Sequence, residues 1–285
     1  MKRRHRDVNG LWMNWRESGE GLPVVMVHGL ATSPMLWRNV VPKVSSARCL
    51  AWELVGYGNS MPQGARRNIS VAQQAVYLLD WLRALRIRHA IFVGHGLGGG
   101  VLQVALKRNP ALCQGLVLVN SVGYDAWPTP AVNIARRFPR LVERLPKSLF
   151  RLVFRRLMQI SYVTRAAADE AFALHWPYYA EDGPRAFVRQ AKDLHLRDTR
   201  NVITALQQIA APKCIIWGAK DRILPVRYGF RFARDLDATL QYIFKGGHFS
   251  PEDHPQVVAD AINDMVVQVQ ADAYARQPEA ARRYG

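Results

Sequence analysis

One nine-residue stretch, FVGHGLGGG at residues 92–100, constrains the fold of this chain more than any other. The apolar run Ile91–Val93 before it is typical of a buried strand, and residues from Leu97 to Arg108 have helical spacing. Glycines between the two allow a sharp turn and a close approach of strand and helix. The stretch therefore predicts a strand–turn–helix unit with its turn at residues 94–98.

Short apolar runs alternate with helical patterns along most of the chain. Strands are predicted at Val24–Val27, Cys49–Leu54, Ala90–Val93, Leu116–Val119, Cys214–Trp217 and Leu240–Phe244. Helices are predicted at Met35–Lys43, Val71–Leu85, Leu97–Arg108, Val226–Leu236 and Gln256–Val269. This order predicts an α/β fold with a doubly wound, mostly parallel sheet. The run Gly10–Glu17, with turn residues at 18–21, predicts an N-terminal hairpin ahead of it.

The alternation stops after Asn120 and resumes at Lys213. The residues between them have the pattern of helices and loops, broken repeatedly by proline. We interpret residues 124–200 as an inserted helical cap, and residues 1–123 and 201–285 as the α/β core domain. The tail from Ala271 to Gly285 is expected to be frayed or disordered.

Positive charge is the second unusual property of the sequence, with a formal net charge of +17. Much of it is arginine between Arg136 and Arg165, where basic and apolar residues alternate at helical spacing. Such a segment fits a surface-seeking amphipathic helix pair or, as the commoner use of the pattern, packed helices with a solvated cationic face. The sequence has no zinc-finger spacing and no RNP-like motif, so we expect no nucleic-acid partner.

The cysteine pattern and the N-terminus indicate the compartment. Cys49, Cys113 and Cys214 form no CxxC pair, so we expect free thiols in a reducing environment. The basic N-terminus has no apolar segment behind it, and no apolar run is long enough to cross a bilayer. We therefore predict a cytoplasmic protein without a transmembrane segment. The sequence holds no metal-ligand constellation, so no metal and no cofactor are expected, and it leaves the oligomeric state open.

The turn at residues 94–98 has the position of the nucleophile turn of a hydrolase, but its central residue is Gly96. A phosphate loop is the first alternative, and it would need a Gly-Lys-Ser/Thr sequence. A dinucleotide-binding turn would need an acidic residue after the next strand, where Asn120 and Ser121 stand. The sequence therefore favours a nucleophile turn that lacks its nucleophile.

Backbone donors and an acid–base pair are predicted around the same turn. Gly29 lets the chain bend sharply after a strand, so the Leu30 N–H joins the Leu97 N–H as an oxyanion-hole donor. Asp221 and His248 follow two neighbouring strands. A carboxylate on one imidazole nitrogen leaves the other nitrogen facing the site as a base. The predicted catalytic positions are Asp221, His248 and the nucleophile position Gly96.

Three segments carry a resemblance to a known superfamily: HGLATSPMLWRNVVP from His28, WELVGYGNSMP from Trp52 and GHGLGGGVLQVALKRNP from Gly94. Over roughly residues 8–270 the chain resembles α/β-hydrolase-fold proteins. It is most similar to the branch of haloalkane dehalogenases and epoxide hydrolases. In this fold the nucleophile turn, the acid and the histidine follow one another in the chain order found here.

The resemblance implies hydrolysis, but haloalkane dehalogenases have Asp and Trp where this chain has Gly96 and Leu97, and esterases have Ser at the first position. Without a side chain at residue 96, no covalent intermediate forms there. We therefore expect a hydrolase for a small apolar ester, epoxide or alkyl halide whose nucleophile has been replaced. Two alternatives are a general-base enzyme using His248 and Asp221 (a lyase, cyclase or cofactor-free oxygenase) and a non-catalytic ligand-binding protein of the same fold.

A pocket is expected between the sheet edge and the cap. Its predicted lining residues are Trp37, Trp127, Trp176 and Phe249, which favours an apolar or aromatic small molecule as the substrate. An epoxide substrate would also need an acid to protonate its oxygen. The candidates in the inserted segment are Tyr124, Tyr162, Tyr178 and Tyr179.

Overall fold

The structure of the protein is a computed structural model that describes residues 1–275. These residues form one eight-stranded sheet flanked by helices. The strands are β1 (Lys2–Val8), β2 (Leu11–Ser18), β3 (Leu22–Val27), β4 (Ala47–Trp52), β5 (Ala90–His95), β6 (Cys113–Val119), β7 (Lys213–Gly218) and β8 (Thr239–Ile243). Their order is β1-β2-β4-β3-β5-β6-β7-β8. Strand β2 pairs antiparallel with β1 and β4, and the pairs from β4 to β8 are parallel. The predicted α/β fold is confirmed.

The central strands form because continuous apolar runs lose contact with water on both faces of the sheet. Residues Val24–Val27 of β3 are completely buried, and Val24 is paired in register with Ile91 of β5. Strand β1 is different, because its sequence KRRHRDV is exposed except for Val8. It lies at the edge of the sheet, and its backbone pairs with a strand on one side, β2.

The N-terminal hairpin exists, but the predicted position of its turn is wrong. Strands β1 and β2 pair around Asn9 and Gly10, both with positive φ, while residues 18–21 lead from β2 to β3, which do not pair with each other. A two-residue turn with positive φ at both positions is the standard hairpin connection. The charged edge strand before it has no apolar alternation to predict it from.

Eleven α-helices flank or extend the sheet in residues 1–275. They are α1 (Val71–Ala84), α2 (Leu97–Arg108), α3 (Pro130–Arg137), α4 (Pro139–Glu143), α5 (Lys147–Ser161), α6 (Arg165–His175), α7 (Gly183–Lys192), α8 (Ile203–Gln207), α9 (Arg227–Asp235), α10 (Ser250–Asp253) and α11 (Pro255–Ala275). Shorter 3-10 turns lie at Pro34–Trp37, Val41–Lys43, Gly58–Arg66, Pro110–Leu112, Trp176–Tyr179 and Leu196–Asp198.

Two helix predictions need correction. Met35–Lys43 is not one helix but two separate 3-10 turns, and Pro42, which has no N–H to donate, lies in the second. The frayed tail was predicted to begin at Ala271, whereas α11 continues to Ala275 because its apolar face packs on the sheet side at Met265, Val266 and Val269. The rest of that predicted tail, residues 276–285, lies outside the described residues.

The chain leaves the sheet after Val119 and returns to it at Lys213, and the described residues between them contain helices and turns without a strand. Helix α7 is largely buried and packs against α3, α4 and α5. The predicted inserted helical cap is confirmed, while its exact borders at residues 124 and 200 stay a prediction.

The three cysteines are unpaired, as expected. Burial raises the pKa of the Cys49 and Cys113 thiols to about 12 and that of Cys214 to about 11. Thiols that are this reluctant to ionise are poor nucleophiles. Within residues 1–275, no helix is both long enough and apolar enough to span a membrane.

Candidate active site

The turn between β5 and α2 has the backbone of a nucleophile turn. Gly96 has φ of +52° and ψ of −120° and is the N-cap residue of α2. A Cβ atom on Gly94 would lie 2.6 Å from the Gly99 Cα, and one on Gly98 would lie 2.2 Å from the Val27 carbonyl oxygen. Those two positions tolerate no side chain, so the strand and the helix approach as closely as the sequence predicts.

Gly96 is different from its glycine neighbours, because a Cβ atom there would meet only ordinary van der Waals contacts. Its nearest neighbours would be the Gly29 Cα at 3.6 Å and the His248 Nε2 at 3.7 Å. The positive φ is the one obstacle to a larger residue, and it is an intrinsic backbone cost rather than a clash. The site therefore has room for a nucleophilic side chain at this position.

The structure brings Asp221 and His248 together. Asp221 lies in the loop after β7 and His248 in the loop after β8, and the His248 Nδ1 is 2.8 Å from the Asp221 Oδ2. The other carboxylate oxygen accepts hydrogen bonds from the backbone N–H groups of Ile223 and Leu224 at 2.7 and 2.8 Å. Burial alone would raise the pKa of Asp221, but His248 and these donors lower it below its ordinary value. A charged Asp221 fixes the imidazole with Nε2 directed to Gly96.

Asn120 holds the acid in place, and sequence reasoning missed it. The Asn120 Nδ2 donates to the Asp221 Oδ2 at 2.8 Å and to the Gly247 carbonyl at 3.3 Å. Its own Oδ1 accepts from the Ser250 hydroxyl at 2.8 Å. Its position at the end of β6, beside the ends of β5 and β7, was the only available signal.

His95 packs against His248 and holds its backbone in place. The two rings lie 4.9 Å apart between centroids, and the His95 Nε2 donates to the His248 carbonyl oxygen at 3.0 Å. Burial, with a smaller contribution from His248, lowers the pKa of His95 to about 3. His95 is therefore neutral and positions the backbone of His248.

The two residues whose N–H groups are predicted to form the oxyanion hole both lie at the cavity. Leu30 and Leu97 line it, and neither backbone N–H donates a hydrogen bond to a described residue. His28 shapes the first turn, because its Nδ1 donates to the Gly29 carbonyl at 2.9 Å and its Nε2 accepts from the Leu54 N–H at 3.1 Å. Free backbone N–H groups beside a helix N-terminus stabilise negative charge.

An apolar cavity of about 120 Å³, open at one side, lies between the turn and the cap. The lining residues that come from the core include Leu30, Gly96, Leu97, Val122, Ile223, Leu224, His248 and Phe249. Those from the cap segment include Trp127, Val132, Phe154, Leu157, Met158, Ser161, Phe187 and Leu194. Apolar lining with a histidine at one end is typical of a site for a small organic molecule.

Two of the four predicted lining residues lie elsewhere. Trp127 and Phe249 line the cavity, but Trp37 and Trp176 do not. Trp37 is completely buried in the core, at the end of a 3-10 turn. Trp176 packs inside the cap, where its ring stacks on Phe172 at 5.6 Å between centroids. An aromatic residue near a predicted strand end fits the core as well as a pocket, and the sequence does not separate the two.

The cap tyrosines do not reach the cavity either. Tyr124 donates its hydroxyl to Asp235 at 3.0 Å, and Tyr179 donates to Gln190 at 2.8 Å. The hydroxyl of Tyr162 donates to Glu252, and Tyr178 is absent from the cavity lining. Among the described residues, no tyrosine therefore supplies an acid to the site.

A buried ionic cluster ties the cap to the core next to this site. Arg38 contacts Glu252 and, at 2.7 Å, Glu170 of α6. Burial raises the pKa of Glu252, although the Arg38 charge opposes the rise. The ring of Tyr162, which contacts the same carboxylate, stacks on Phe249 at 4.7 Å between centroids. Within residues 1–275, no group of three or more acidic, histidine or cysteine side chains has the arrangement of a metal site.

The sheet order, the positions of Gly96, Asp221 and His248 after β5, β7 and β8, and the inserted cap define an α/β-hydrolase-fold protein. The sequence profile of the alpha/beta hydrolase fold matches residues 23–255, so the chain belongs to this family. A relative named 2-hydroxymuconate semialdehyde hydrolase, from Pseudomonas sp. strain CF600, is 26% identical over 279 residues, which cover 93% of each chain.

Solved structures support the same assignment at the level of the fold. The epoxide hydrolase CorEH superimposes with a TM-score of 0.80 at 20% identity, covering 94% of this chain and 99% of that one. A haloalkane dehalogenase from Bradyrhizobium elkanii superimposes with a TM-score of 0.76 at 22% identity, covering 97% and 99%. The resemblance stated from the sequence motifs is confirmed.

Proposed function

We propose that this chain hydrolyses a small apolar carbonyl compound, an ester in the first place, with His248 activating a water molecule directly. The observation that carries the proposal is the position of the His248 Nε2, 3.7 Å from the point where a nucleophilic side chain would begin on Gly96. A water oxygen bound beyond this point, in the space that a nucleophilic side chain would fill, can donate a hydrogen bond to the His248 Nε2, and Leu30 and Leu97 line the same cavity. The space left by the missing side chain is then the place where the nucleophilic water binds.

The reaction follows from this arrangement. The His248 Nε2 takes a proton from water while the water oxygen attacks the carbonyl carbon, and Asp221 stabilises the imidazolium that forms. The carbonyl oxygen becomes an oxyanion and accepts hydrogen bonds from the Leu30 and Leu97 N–H groups. His248 then returns the proton to the leaving alkoxide as the C–O bond breaks. The products are a carboxylic acid and an alcohol.

Contacts around the cavity favour a carbonyl substrate over the two other classes expected from the sequence. An alkyl halide needs a donor for the departing halide, but the indole N–H of Trp127 donates to Thr199 at 2.9 Å. An epoxide needs an acid beside its oxygen, and the cap tyrosines bond elsewhere. An oxyanion needs only backbone donors. The name of the Pseudomonas relative also describes a hydrolase for a carbonyl compound.

A second candidate function is ligand binding without turnover by a hydrolase that has lost its nucleophile. The ordinary contacts around a Cβ atom on Gly96 favour it, because the site retains the space of the replaced residue. Loss of a triad nucleophile typically lowers kcat by about a million-fold, although binding and the oxyanion hole leave some rate over water. With either function we propose a cytoplasmic location, which the free cysteines support.

The test compares wild type with His248→Ala and with His89→Ala, a control at an exposed histidine away from the cavity. The substrates are nitrophenyl esters of increasing acyl length. We expect wild type and the control to hydrolyse at least one ester tenfold or more above His248→Ala, with no labelling of wild type by a fluorophosphonate. Equal rates for wild type and His248→Ala contradict the general-base proposal. Retained ester affinity in both, measured by calorimetry, then favours the binding function.

A further inference from the structure

Helix α5 carries apolar side chains on two opposite faces. Phe150, Phe154 and Met158 are buried on the inner face, and Phe154 and Met158 line the cavity. On the outer face Leu149, Leu152, Val153 and Ile160 are 42 to 55% exposed. The other three lie three, four and eleven residues after Leu149, so the four form one stripe along the helix. A surface helix of a globular protein normally has a polar outer face, whereas α5 exposes this apolar stripe beside Arg151, Arg155 and Arg156.

Exposed apolar side chains also lie on the cap helices that precede α5, and α3, α4 and α5 all pack against α7. Ile134 of α3, Phe138 between α3 and α4, and Leu141 of α4 are 56, 52 and 67% exposed, and Val163 after α5 is 39% exposed. Of the fourteen large apolar side chains exposed within residues 1–275, eight lie between Ile134 and Val163. We call the exposed residues from Ile134 to Arg165 the outer cap surface. Single exposed apolar residues need no explanation, but such a concentration marks an interaction site.

Positive charge is concentrated on the same segment. Between Ile134 and Arg165 the sequence holds nine basic residues and one acidic residue, Glu143. Of these nine, only Arg155 is in an ion pair with a described residue, with Asp169 at 2.9 Å. Arg137 and Arg151 instead lie over aromatic rings of the cap. The outer cap surface therefore combines apolar side chains with guanidinium groups whose charge is not neutralised within residues 1–275.

We propose that the outer cap surface docks the protein on an anionic phospholipid membrane. The apolar stripe of α5 enters the boundary between headgroups and acyl chains, while arginine side chains extend to the lipid phosphates and anionic headgroups. A second copy of the chain would bring the same positive surface against itself, which is repulsive. A nucleic acid would neutralise the arginines but would leave the leucine and isoleucine side chains without an apolar partner.

The position of α5 connects this surface to the site. One face of the helix meets the membrane while the opposite face lines the cavity, so a single helix diameter of about 10 Å separates bilayer and site. If the proposed ester hydrolysis holds, the substrate class is an amphiphilic ester that enters the cavity from the lipid surface. The docking itself depends on the outer cap surface alone and is tested without any reaction.

The experiment is flotation of the full chain with vesicles of phosphatidylcholine alone and of phosphatidylcholine with phosphatidylglycerol. One variant is Leu149→Gln/Leu152→Gln/Ile160→Gln. Its matched control, Phe230→Gln/Phe244→Gln/Val267→Gln, changes three apolar side chains outside the cap that are 51 to 71% exposed. A charge variant is Arg137→Gln/Arg140→Gln/Arg144→Gln, and its control is Arg3→Gln/Arg88→Gln/Arg108→Gln, all exposed arginines outside the cap.

We expect wild type and both controls to float with the anionic vesicles and not with phosphatidylcholine alone. Both cap variants should lose at least tenfold in vesicle affinity at unchanged thermal midpoint. A dye attached in Leu152→Cys should shift to the blue on anionic vesicles, because residue 152 enters an apolar phase. Failure of wild type to float overturns the proposal, and so does an α5 variant that binds like wild type, since that result indicates adsorption by charge alone. A dimer that buries the dye without lipid also overturns it.

Discussion

The His248 Nε2 lies 3.7 Å from the point that a Cβ atom would occupy on Gly96. Everything else that a nucleophile needs is positioned around that point, from the Asp221 carboxylate behind the imidazole to the N–H groups of Leu30 and Leu97. Gly96 also keeps the positive φ of a nucleophile turn. In this arrangement, a serine at residue 96 would supply the third side chain of a Ser-His-Asp site.

Gly96→Ser is expected to create a covalent hydrolase. The new hydroxyl would lie within reach of the His248 Nε2, and a serine that loses its proton to this base forms an acyl-enzyme. We expect ester hydrolysis to rise by several orders of magnitude and a fluorophosphonate to label residue 96. The positive φ should lower the free energy of unfolding by about 1–3 kcal/mol, measured by urea titration.

Gly96→Ala is the control that separates the two proposals for wild type. Its methyl group has the same backbone cost as serine, supplies no nucleophile, and crowds the space proposed for the water molecule. If water attacks directly in wild type, the alanine variant should lose ester hydrolysis relative to wild type. Equal rates in the two would show that no water acts at this position.

The central strands and the acid–base pair could be predicted from the sequence because both depend on local pattern and chain order. Continuous apolar runs such as Val24–Val27 identify the buried strands, and each catalytic position follows one of them. Edge strand β1 has no such pattern, since backbone pairing in water places little demand on its side chains. The sequence therefore predicted the centre of the sheet better than its edge.

Asn120 and Trp37 illustrate what the sequence left open in the site. Asn120 acts through a contact with Asp221, which lies 101 residues further along the chain. That contact exists because the folded sheet brings the ends of three strands together, which the sequence alone does not show. Trp37 was predicted to line the pocket, but its side chain is completely buried in the core. Direction of a side chain after a turn depends on tertiary packing, which no spacing rule supplies.

Substitutions of Trp127 and Trp37 should have different effects, because Trp127 is expected to contact the substrate whereas Trp37 lies in the core. Trp127→Ala enlarges the cavity, so KM should change with the acyl length of the ester. Trp37→Ala leaves a void in the core and should lower the free energy of unfolding by about 3–5 kcal/mol, with the relation between KM and acyl length unchanged. Ester kinetics and urea unfolding of both variants measure the difference. A change in acyl preference for Trp37→Ala would mean that the cavity extends to this residue.

Asn120→Ala should impair the site through Asp221. A hydrogen bond to a charged group contributes about 1.5–3 kcal/mol, so kcat/KM should fall tenfold or more when the Asn120 donor is lost. The rate is best measured in the Gly96→Ser background, where it is expected to be high. Ser250→Ala is the matched control, because Ser250 contacts Asn120 and Gly247 but not Asp221. Equal losses in the two variants would assign Asn120 to general packing.

His175 should make the protein sensitive to acid. It is completely buried in the cap, and neither ring nitrogen has a hydrogen-bond partner among the described residues. Burial, with smaller contributions from His28 and Arg38, lowers the pKa of His175 to about 3. An unfolded histidine has a pKa of about 6.5. Below that pH the unfolded chain binds a proton that the folded chain excludes, so stability is lost as the pH falls from 6.5 towards 3.

We expect His175→Leu to reduce this loss by up to about 1.4 kcal/mol per pH unit, because leucine binds no proton in either state. Urea unfolding of wild type and variant between pH 7 and pH 4 measures the two slopes. His89→Leu, at an exposed histidine, is the control and should retain the wild-type slope. Other groups with shifted pKa values contribute to the remaining slope of His175→Leu, among them the buried His28 and His95, whose pKa values burial lowers to about 4 and about 3. Parallel curves for wild type and His175→Leu would mean that His175 gains its proton in the folded protein at an ordinary pH.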